Sequence, residues 1–287
     1  MTRAIQITRS IQMTRIIAIT GGKGGTGKST VATSLAFELS KEKRVLLVDA
    51  DVDCPNDHLL LSIKREHLKT VRQRIPKFNP DRCTKCGACG KVCKTNAIMS
   101  IKGKNPIFMP DQCNGCGACK IICPSGAIEW DSKEIGRIYS GKKDNLDFLS
   151  GELKTNQPIS EFIVNSLNEE IEKRKDGYDY IIIDTAAGTH CPVIAALENA
   201  DYAFAVTEPT PLGAHDLEII LQLLARMNKK GGIILNRSDI GDKKIIESMA
   251  KKHSAGIIFE IPFSKEIIIQ YSKGEPVNIP RISSIIK

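Results

Sequence analysis

The 287-residue chain has no run approaching the roughly 18 consecutive apolar residues that a membrane span needs. Its first residues also lack the apolar core of a secretory leader. A membrane span is therefore excluded and a cytoplasmic location is expected. Aromatic residues are scarce, at 5% of the chain with a single Trp. The basic doublets Lys142-Lys143, Lys229-Lys230 and Lys251-Lys252 stand without the interleaved rings on which nucleobases stack. Solvated faces are the ordinary meaning of such doublets, so a formal charge of +8 does not call for a nucleic-acid partner. The 41% hydrophobic and 26% charged content is that of an ordinary globular chain.

Cysteine, by contrast, is plentiful and concentrated. Eight of ten cysteines fall between positions 83 and 123. A disulfide framework belongs to small secreted domains, which this chain does not resemble. The spacing is that of metal ligands instead: Cys83, Cys86, Cys89 and Cys93, then Cys113, Cys116, Cys119 and Cys123 followed by Pro124. Each set is C-x2-C-x2-C-x3-C, the run of bacterial ferredoxins, in which the fourth cysteine serves the other cluster. Cluster one is thus assigned Cys83, Cys86, Cys89 and Cys123, and cluster two Cys113, Cys116, Cys119 and Cys93. Lys94 departs from the usual proline after the fourth cysteine. Zinc is the competing occupant, since paired C-x2-C also suits a tetrahedral site. Asp81–Cys89 matches Asp111–Cys119 at an offset of thirty residues, which marks a duplicated unit. Residues 77–131 are read as an inserted ferredoxin-like domain holding two [4Fe–4S] clusters.

Around this segment the chain alternates short Ile/Val-rich runs with helical patterns. Runs at 16–20, 45–49, 180–184, 202–207, 232–236 and 256–261 are continuously apolar, as in strands buried on both faces. Helices are expected at 29–39, 160–173, 192–199, 214–228, 243–252 and 265–272, and one or two returning strands within 135–157. The expected fold is α/β, a mostly parallel sheet with helices on both faces, formed by residues 15–76 and 132–287. Thr2–Ile7, Thr8–Met13 and Thr14–Ile19 repeat one six-residue pattern. The third copy enters the first strand, and residues 1–14 are read as an extension.

Gly22-Lys23-Gly24-Gly25-Thr26-Gly27-Lys28-Ser29 fits the phosphate-loop pattern G-x4-G-K-[ST] between an expected strand and helix. Glycines turn backbone N–H groups toward phosphate oxygens, and the helix N-terminus adds a positive dipole. Lys28 is expected to reach the β- and γ-phosphates, Ser29 to ligate Mg²⁺, and Thr30 to contact the α-phosphate.

The early lysine makes the loop more specific. Lys23–Thr30 resembles the deviant Walker A loop of the MinD, ParA and nitrogenase iron protein family. That resemblance implies a nucleotide-dependent dimer, with itself or a paralogous chain, in which Lys23 reaches the partner's nucleotide. It also implies ATP hydrolysis with Mg²⁺. Val48–Asp53 is similar to the family's switch I, with Asp51 positioning the attacking water and Asp49 supporting the magnesium shell. Tyr180–Gly188 resembles Walker B with switch II, Asp184 holding Mg²⁺ through water and Gly188 letting the loop respond to the γ-phosphate. By the same resemblance Asn236 contacts adenine and Pro262 walls the base. His215 is read as a capping or packing residue at a helix start. Cys54 and Cys191 remain, and Cys191 stands at the switch II offset where the nitrogenase iron protein has a cluster ligand.

The expected function is a Mg-ATP-hydrolysing iron–sulfur protein in which nucleotide state gates electron transfer or docking of a redox or iron–sulfur acceptor protein. An Mrp-type cluster carrier is the alternative, weakened because no C-x2-C lies outside the cysteine segment. A MinD- or ParA-like positioning ATPase is a further class, and residues 277–287 lack the basic amphipathic helix by which MinD lies on membranes.

Overall fold

A computed structural model describes residues 13–286. The expectation for residues 1–14 thus falls outside the described residues except at Met13 and Thr14. Six apolar runs expected as strands form β1 (Arg15–Thr20), β2 (Val45–Ala50), β8 (Tyr180–Thr185), β9 (Tyr202–Thr207), β10 (Lys230–Asn236) and β11 (Ile257–Ile261). With β3 (Glu66–Phe78), β6 (Ile128–Lys143) and β7 (Leu146–Leu153) they make one sheet in the order β11-β10-β9-β1-β8-β2-β7-β6-β3. From β11 to β7 every pairing is parallel, whereas β6 and β3 pair antiparallel.

Helices cover both faces, which is why the central strands carry no solvent-facing side. One face packs α5 (Glu161–Glu172), α6 (Cys191–Leu197), α7 (Pro211–Arg226) and α8 (Lys243–Lys252). In α5, Ile163, Val164, Leu167 and Ile171 recur on one stripe and are buried. The other face packs α1 (Lys28–Ser40) and the short 3₁₀ segment Ile282–Ile286. The family of short strands and the helices between them follow the expected boundaries within a few residues.

Sequence reading missed β3. Its pattern is Glu66-His67-Leu68-Lys69-Thr70-Val71-Arg72-Gln73-Arg74-Ile75-Pro76-Lys77-Phe78, buried at Val71, Gln73, Ile75 and Pro76 and exposed at Arg72, Arg74 and Lys77 between and beside them. It is an edge strand with one face in water, and Pro76 is tolerated there because no further strand needs its missing N–H. The two returning strands expected in 135–157 are the second half of β6 and all of β7.

Only residues 136–143 of β6 pair with β7, whereas β6 pairs with β3 from Glu66↔Ser140 on to Phe78↔Ile128. The β3–β6 ribbon therefore runs on beyond the sheet and carries residues 79–127 between its ends. The expected boundaries 77 and 131 fall inside this ribbon. Within 79–127, α3 (Ala88–Val92) and α4 (Ala118–Ile122) each start after a left-handed glycine, Gly87 (φ 79°) and Gly117 (φ 78°), and β4 (Ile98–Met99) pairs with β5 (Ile107–Phe108).

Phe148 is 1% exposed and packs with the face that carries α1. Phe148→Ala should lose about 3–5 kcal/mol in denaturant titration. Ile240→Ala, at a 58% exposed position, should stay within about 0.5 kcal/mol of the parent.

Candidate functional site

The phosphate loop lies between β1 and α1. Gly27 takes φ 96° as the residue before α1, and a Cβ there would stand 2.4 Å from Asn236 Nδ2. Glycine is thus required twice over, by conformation and by space. Asn236 Nδ2 donates to the Thr26 carbonyl at 2.9 Å, and its Oδ1 accepts from Arg237 N–H. Lys28 is buried, and its ammonium donates to the Lys23 carbonyl at 3.0 Å. Desolvation lowers the Lys28 pKa, with Asp184 and Asp51 opposing. Ser29 Oγ donates to Asp184 Oδ2 at 2.6 Å. Gly188, at φ 96°, donates its N–H to the Gly21 carbonyl, so the loop after β8 is tied to the phosphate loop.

Beneath this loop lies a group of acids. Asp49, Asp57 and Asp184 are all buried and offer carboxylate oxygens within 4.8 Å of one another. Asp49 accepts the N–H groups of Asp51 and Asp57. Both oxygens of Asp57 and Oδ1 of Asp184 are buried without a hydrogen-bond partner. Desolvation, then mutual repulsion, pushes Asp49 and Asp57 well above the ordinary carboxylate range. Desolvation raises Asp184 to about 7 against the pull of Ser29 and Lys28. Half-buried Asp51 is raised by desolvation while Lys28 draws it back. Sequence reading did not single out Asp57. Its only signal was an acid at the start of the short α2 (Asp57–Leu60), eight residues after Asp49.

An oxygen-rich pocket with unsatisfied carboxylates suits a hard divalent cation. Ser29 meets Asp184, and Asp49, Asp57 and Asp184 lie together beside it. Lys23 points elsewhere: its ammonium pairs with Glu208 Oε1 at 3.4 Å, and Glu208 also binds Arg237 at 2.9 Å. Above the loop opens a cleft of about 560 Å³ lined by Gly24, Gly25, Thr30, Asp51, Asn236 and Pro262, among others. His215 is exposed, and α7 is capped instead by Thr210, whose Oγ1 accepts the Gly213 N–H at 2.9 Å. Of the capping or packing role expected for His215, the capping part is corrected: Thr210, five residues earlier, holds the cap. Cys54 and Cys191 are both exposed.

In the cysteine segment, Cys83, Cys86, Cys89 and Cys123 line one cavity. Burial raises the Cys113 pKa, with the Cys116 and Cys93 thiols adding to it. Cys93 and Cys113 also pack together with Ile75 and Ala97. Cys119, raised to about 11 by burial, feels Cys113 and Cys116. Among the described residues no three thiols come within 4.8 Å of one another. Gly115 N–H donates to Cys113 Sγ at 3.4 Å and Ala127 N–H to Cys123 Sγ at 3.3 Å.

Comparison with known proteins places the chain in a nucleotide-binding family. The model of the CobQ/CobB/MinD/ParA nucleotide binding domain matches residues 17–277. An uncharacterized protein of Methanocaldococcus jannaschii is 37% identical over 266 residues, 91% of this chain and 90% of the relative. The septum site-determining protein MinD of Thermotoga maritima is 25% identical over 282 residues, 95% of this chain and 84% of that protein. Among solved structures, MinD of Pyrococcus horikoshii complexed with Mg-ADP aligns with a TM-score of 0.59 at 22% identity, covering 92% of this chain and 88% of that one.

The buried acids generate a pH dependence. In the unfolded chain aspartates ionise near pH 4, and with pKa values raised by folding the native state keeps more protons than the unfolded one above that point. Stability of the nucleotide-free, Mg²⁺-free protein should therefore fall as pH rises from about 4 through 7. Denaturation midpoints at pH 5 and pH 8 check this. Asp57→Asn should flatten the slope, and a parallel slope in the variant would exclude Asp57 as its source.

Proposed function

The chain belongs to the CobQ/CobB/MinD/ParA nucleotide-binding family; from that membership we propose a Mg²⁺-dependent ATPase, and from the cysteine spacing that its nucleotide state is coupled to two [4Fe–4S] clusters held by residues 79–127. The Ser29–Asp184 contact at 2.6 Å, set over carboxylate oxygens without partners, carries the ATPase half of this reading. A divalent ion would separate that pair and satisfy Asp184 Oδ1. Lys28 binds the phosphates of its own nucleotide, and Thr30 adds a contact at the α-phosphate. Asp49 and Asp57 support the ion from below, while Asp51, at the cleft wall, orients the attacking water. Asn236 and Pro262 border the base, and Gly188 carries the γ-phosphate signal through its bond to Gly21.

Lys23 acts across a dimer of this chain with a second copy or a paralogue. Glu208 pairs with the Lys23 ammonium at 3.4 Å, and that ion pair must open before the lysine reaches a partner's phosphates. That requirement makes hydrolysis depend on association.

For the cysteines, support comes from the donor set and its spacing. Zinc at about 2.3 Å from each sulfur would hold thiolates roughly 3.8 Å apart. No three thiols among the described residues meet that spacing, whereas Cys83, Cys86, Cys89 and Cys123 surround a shared cavity. Thiolates alone in a duplicated ferredoxin run suit iron–sulfur clusters, which would supply one-electron chemistry when bound. Nucleotide state would then gate electron transfer to an acceptor protein, or its docking. The MinD relatives favour a second reading, a positioning ATPase without iron.

Lys28→Ala should abolish ATP binding in isothermal titration. Lys23→Ala should bind ATP yet lose phosphate release, and wild-type hydrolysis by that variant would exclude a lysine acting in trans. Anaerobically purified protein should hold about eight irons per chain. Cys123→Ser should damage the cluster of Cys83, Cys86 and Cys89 in electron paramagnetic resonance. Iron-free protein with full ATPase activity would leave the positioning reading.

A further inference from the structure

The two cysteine-bearing copies share a backbone. Left-handed residues occur in register at Lys85 and Gly115, Gly87 and Gly117, and Asn96 and Gly126. Their surfaces have diverged. Where the first copy has Lys85, Lys91 and Lys94, the second has Gly115, Ile121 and Pro124. Residues 79–108 carry six basic side chains against the single acid Asp81, whereas residues 109–127 carry only Lys120 and Asp111. Lys85 occupies a left-handed conformation (φ 57°) that the second copy fills with glycine, the residue that takes it without strain.

The first copy brings Lys85 and the Lys102–Lys104 turn together beside one cavity. Gly103 N–H donates to the Lys85 carbonyl at 3.0 Å, and Ser100 Oγ donates to the Gly87 carbonyl at 2.9 Å. These bonds seat the turn that carries Lys102 and Lys104 on the Cys83–Cys89 loop. Lys85 and Lys104 then border the same cavity as Cys83, Cys86, Cys89 and Cys123. Lys85, Lys91, Lys102 and Lys104 are all exposed. The one ion pair made from residues 79–127, among the described residues, is Arg82 with Glu129. Met99 and Ile101, 55% and 56% exposed, lie within the same stretch of chain. Exposed apolar groups with a charged surround are the composition of a transient protein interface.

We propose that this face docks an acidic one-electron carrier protein of the ferredoxin class, whose carboxylates meet Lys85, Lys102 and Lys104. The proposal rests on the iron–sulfur reading above and adds the partner's chemistry and its point of entry. The transfer moves one electron from the carrier's reduced cluster to the site bounded by Cys83, Cys86, Cys89 and Cys123. The carrier is oxidised by one electron and this chain reduced by one, with no proton or covalent bond exchanged. Nucleic acid is the other anionic candidate, and the face is poorly made for it. Phe108 is only half-exposed, and the exposed ring of Trp130 lies against Gly117 of the second copy.

The test uses the iron-replete, anaerobic full chain and an acidic two-cluster ferredoxin as probe. Isothermal titration with the oxidised ferredoxin should show binding that weakens with salt. The triple variant Lys85→Gln, Lys102→Gln, Lys104→Gln should bind about tenfold or more weakly at low salt, with a flatter salt dependence. Its reduction by reduced ferredoxin should slow by a similar factor, while reduction by a cationic viologen radical should not slow. Equal affinity in variant and parent, or loss of affinity in Ile121→Gln, Ile122→Gln instead, would overturn the assignment. So would tighter binding of a single-stranded oligonucleotide that the triple variant abolishes. A chain purified without iron sinks the iron–sulfur reading together with the docking, whereas an iron-replete chain of unchanged affinity sinks the docking alone.

Discussion

Three carboxylates crowded at the carboxyl ends of two adjacent strands are the constraint around which the nucleotide half is arranged. Asp49 of β2 and Asp184 of β8 are register partners, and Asp57 turns back so that its N–H reaches Asp49 at 3.1 Å. Without a proton or a cation among them, such charges repel at close range in a medium that solvates them poorly. The sheet order makes the arrangement unavoidable. β8 lies between β1 and β2, so the phosphate loop after β1 is set directly over both acids. Ser29 meets Asp184, and Lys28 supplies the one buried cation nearby.

From these acids a continuous chain of contacts leads toward the cysteines. Val52, just past Asp51, accepts the Leu153 N–H at 2.8 Å, and Lys154 N–H donates to Ile135 on β6. On the paired strand β3, buried Gln73 donates to the Cys113 carbonyl at 3.0 Å. α2, which begins at Asp57, leads within nine residues into β3. A displacement of Asp57 by Mg²⁺ thus has a short covalent and hydrogen-bonded path to the ribbon that bears residues 79–127. Proximity of this kind supplies a route, and coupling along it is an energetic quantity that only paired perturbations measure.

The charge asymmetry of the two cysteine-bearing copies adds direction to that architecture. Duplicated units begin with the same surface, and the backbone here is still in register. Lys85 at φ 57°, where the second copy has glycine, adds to the basic character of residues 79–108. The second copy exposes Ile121 and Ile122 instead, at 86% and 49%. Two unlike surfaces on one duplicated unit distinguish a charged approach from an apolar one.

Much of this was legible along the chain because it is local. Continuous Ile/Val runs mark strands buried on both faces, and Gly-Lys-Ser after such a run marks a phosphate loop. Each signal is written in neighbouring residues and needs no knowledge of what packs nearby. The elements that escaped are those whose meaning depends on distant partners. β3 reads as polar because half of it faces water, and only its pairing with β6 makes it a strand. Glu208 gains significance from Lys23 and Arg237, 185 and 29 residues away. His215 looked like a capping residue until Thr210 took the cap. Asp57 is the clearest case. Its sequence context is that of any acid opening a short helix, and only the parallel register of β2 with β8 buries it beside Asp49 and Asp184. Residue type and spacing marked the phosphate loop and so the nucleotide chemistry of the family. Which side chains share one low-dielectric space, and so which acids must hold a proton or a cation, was decided by the packing of the sheet.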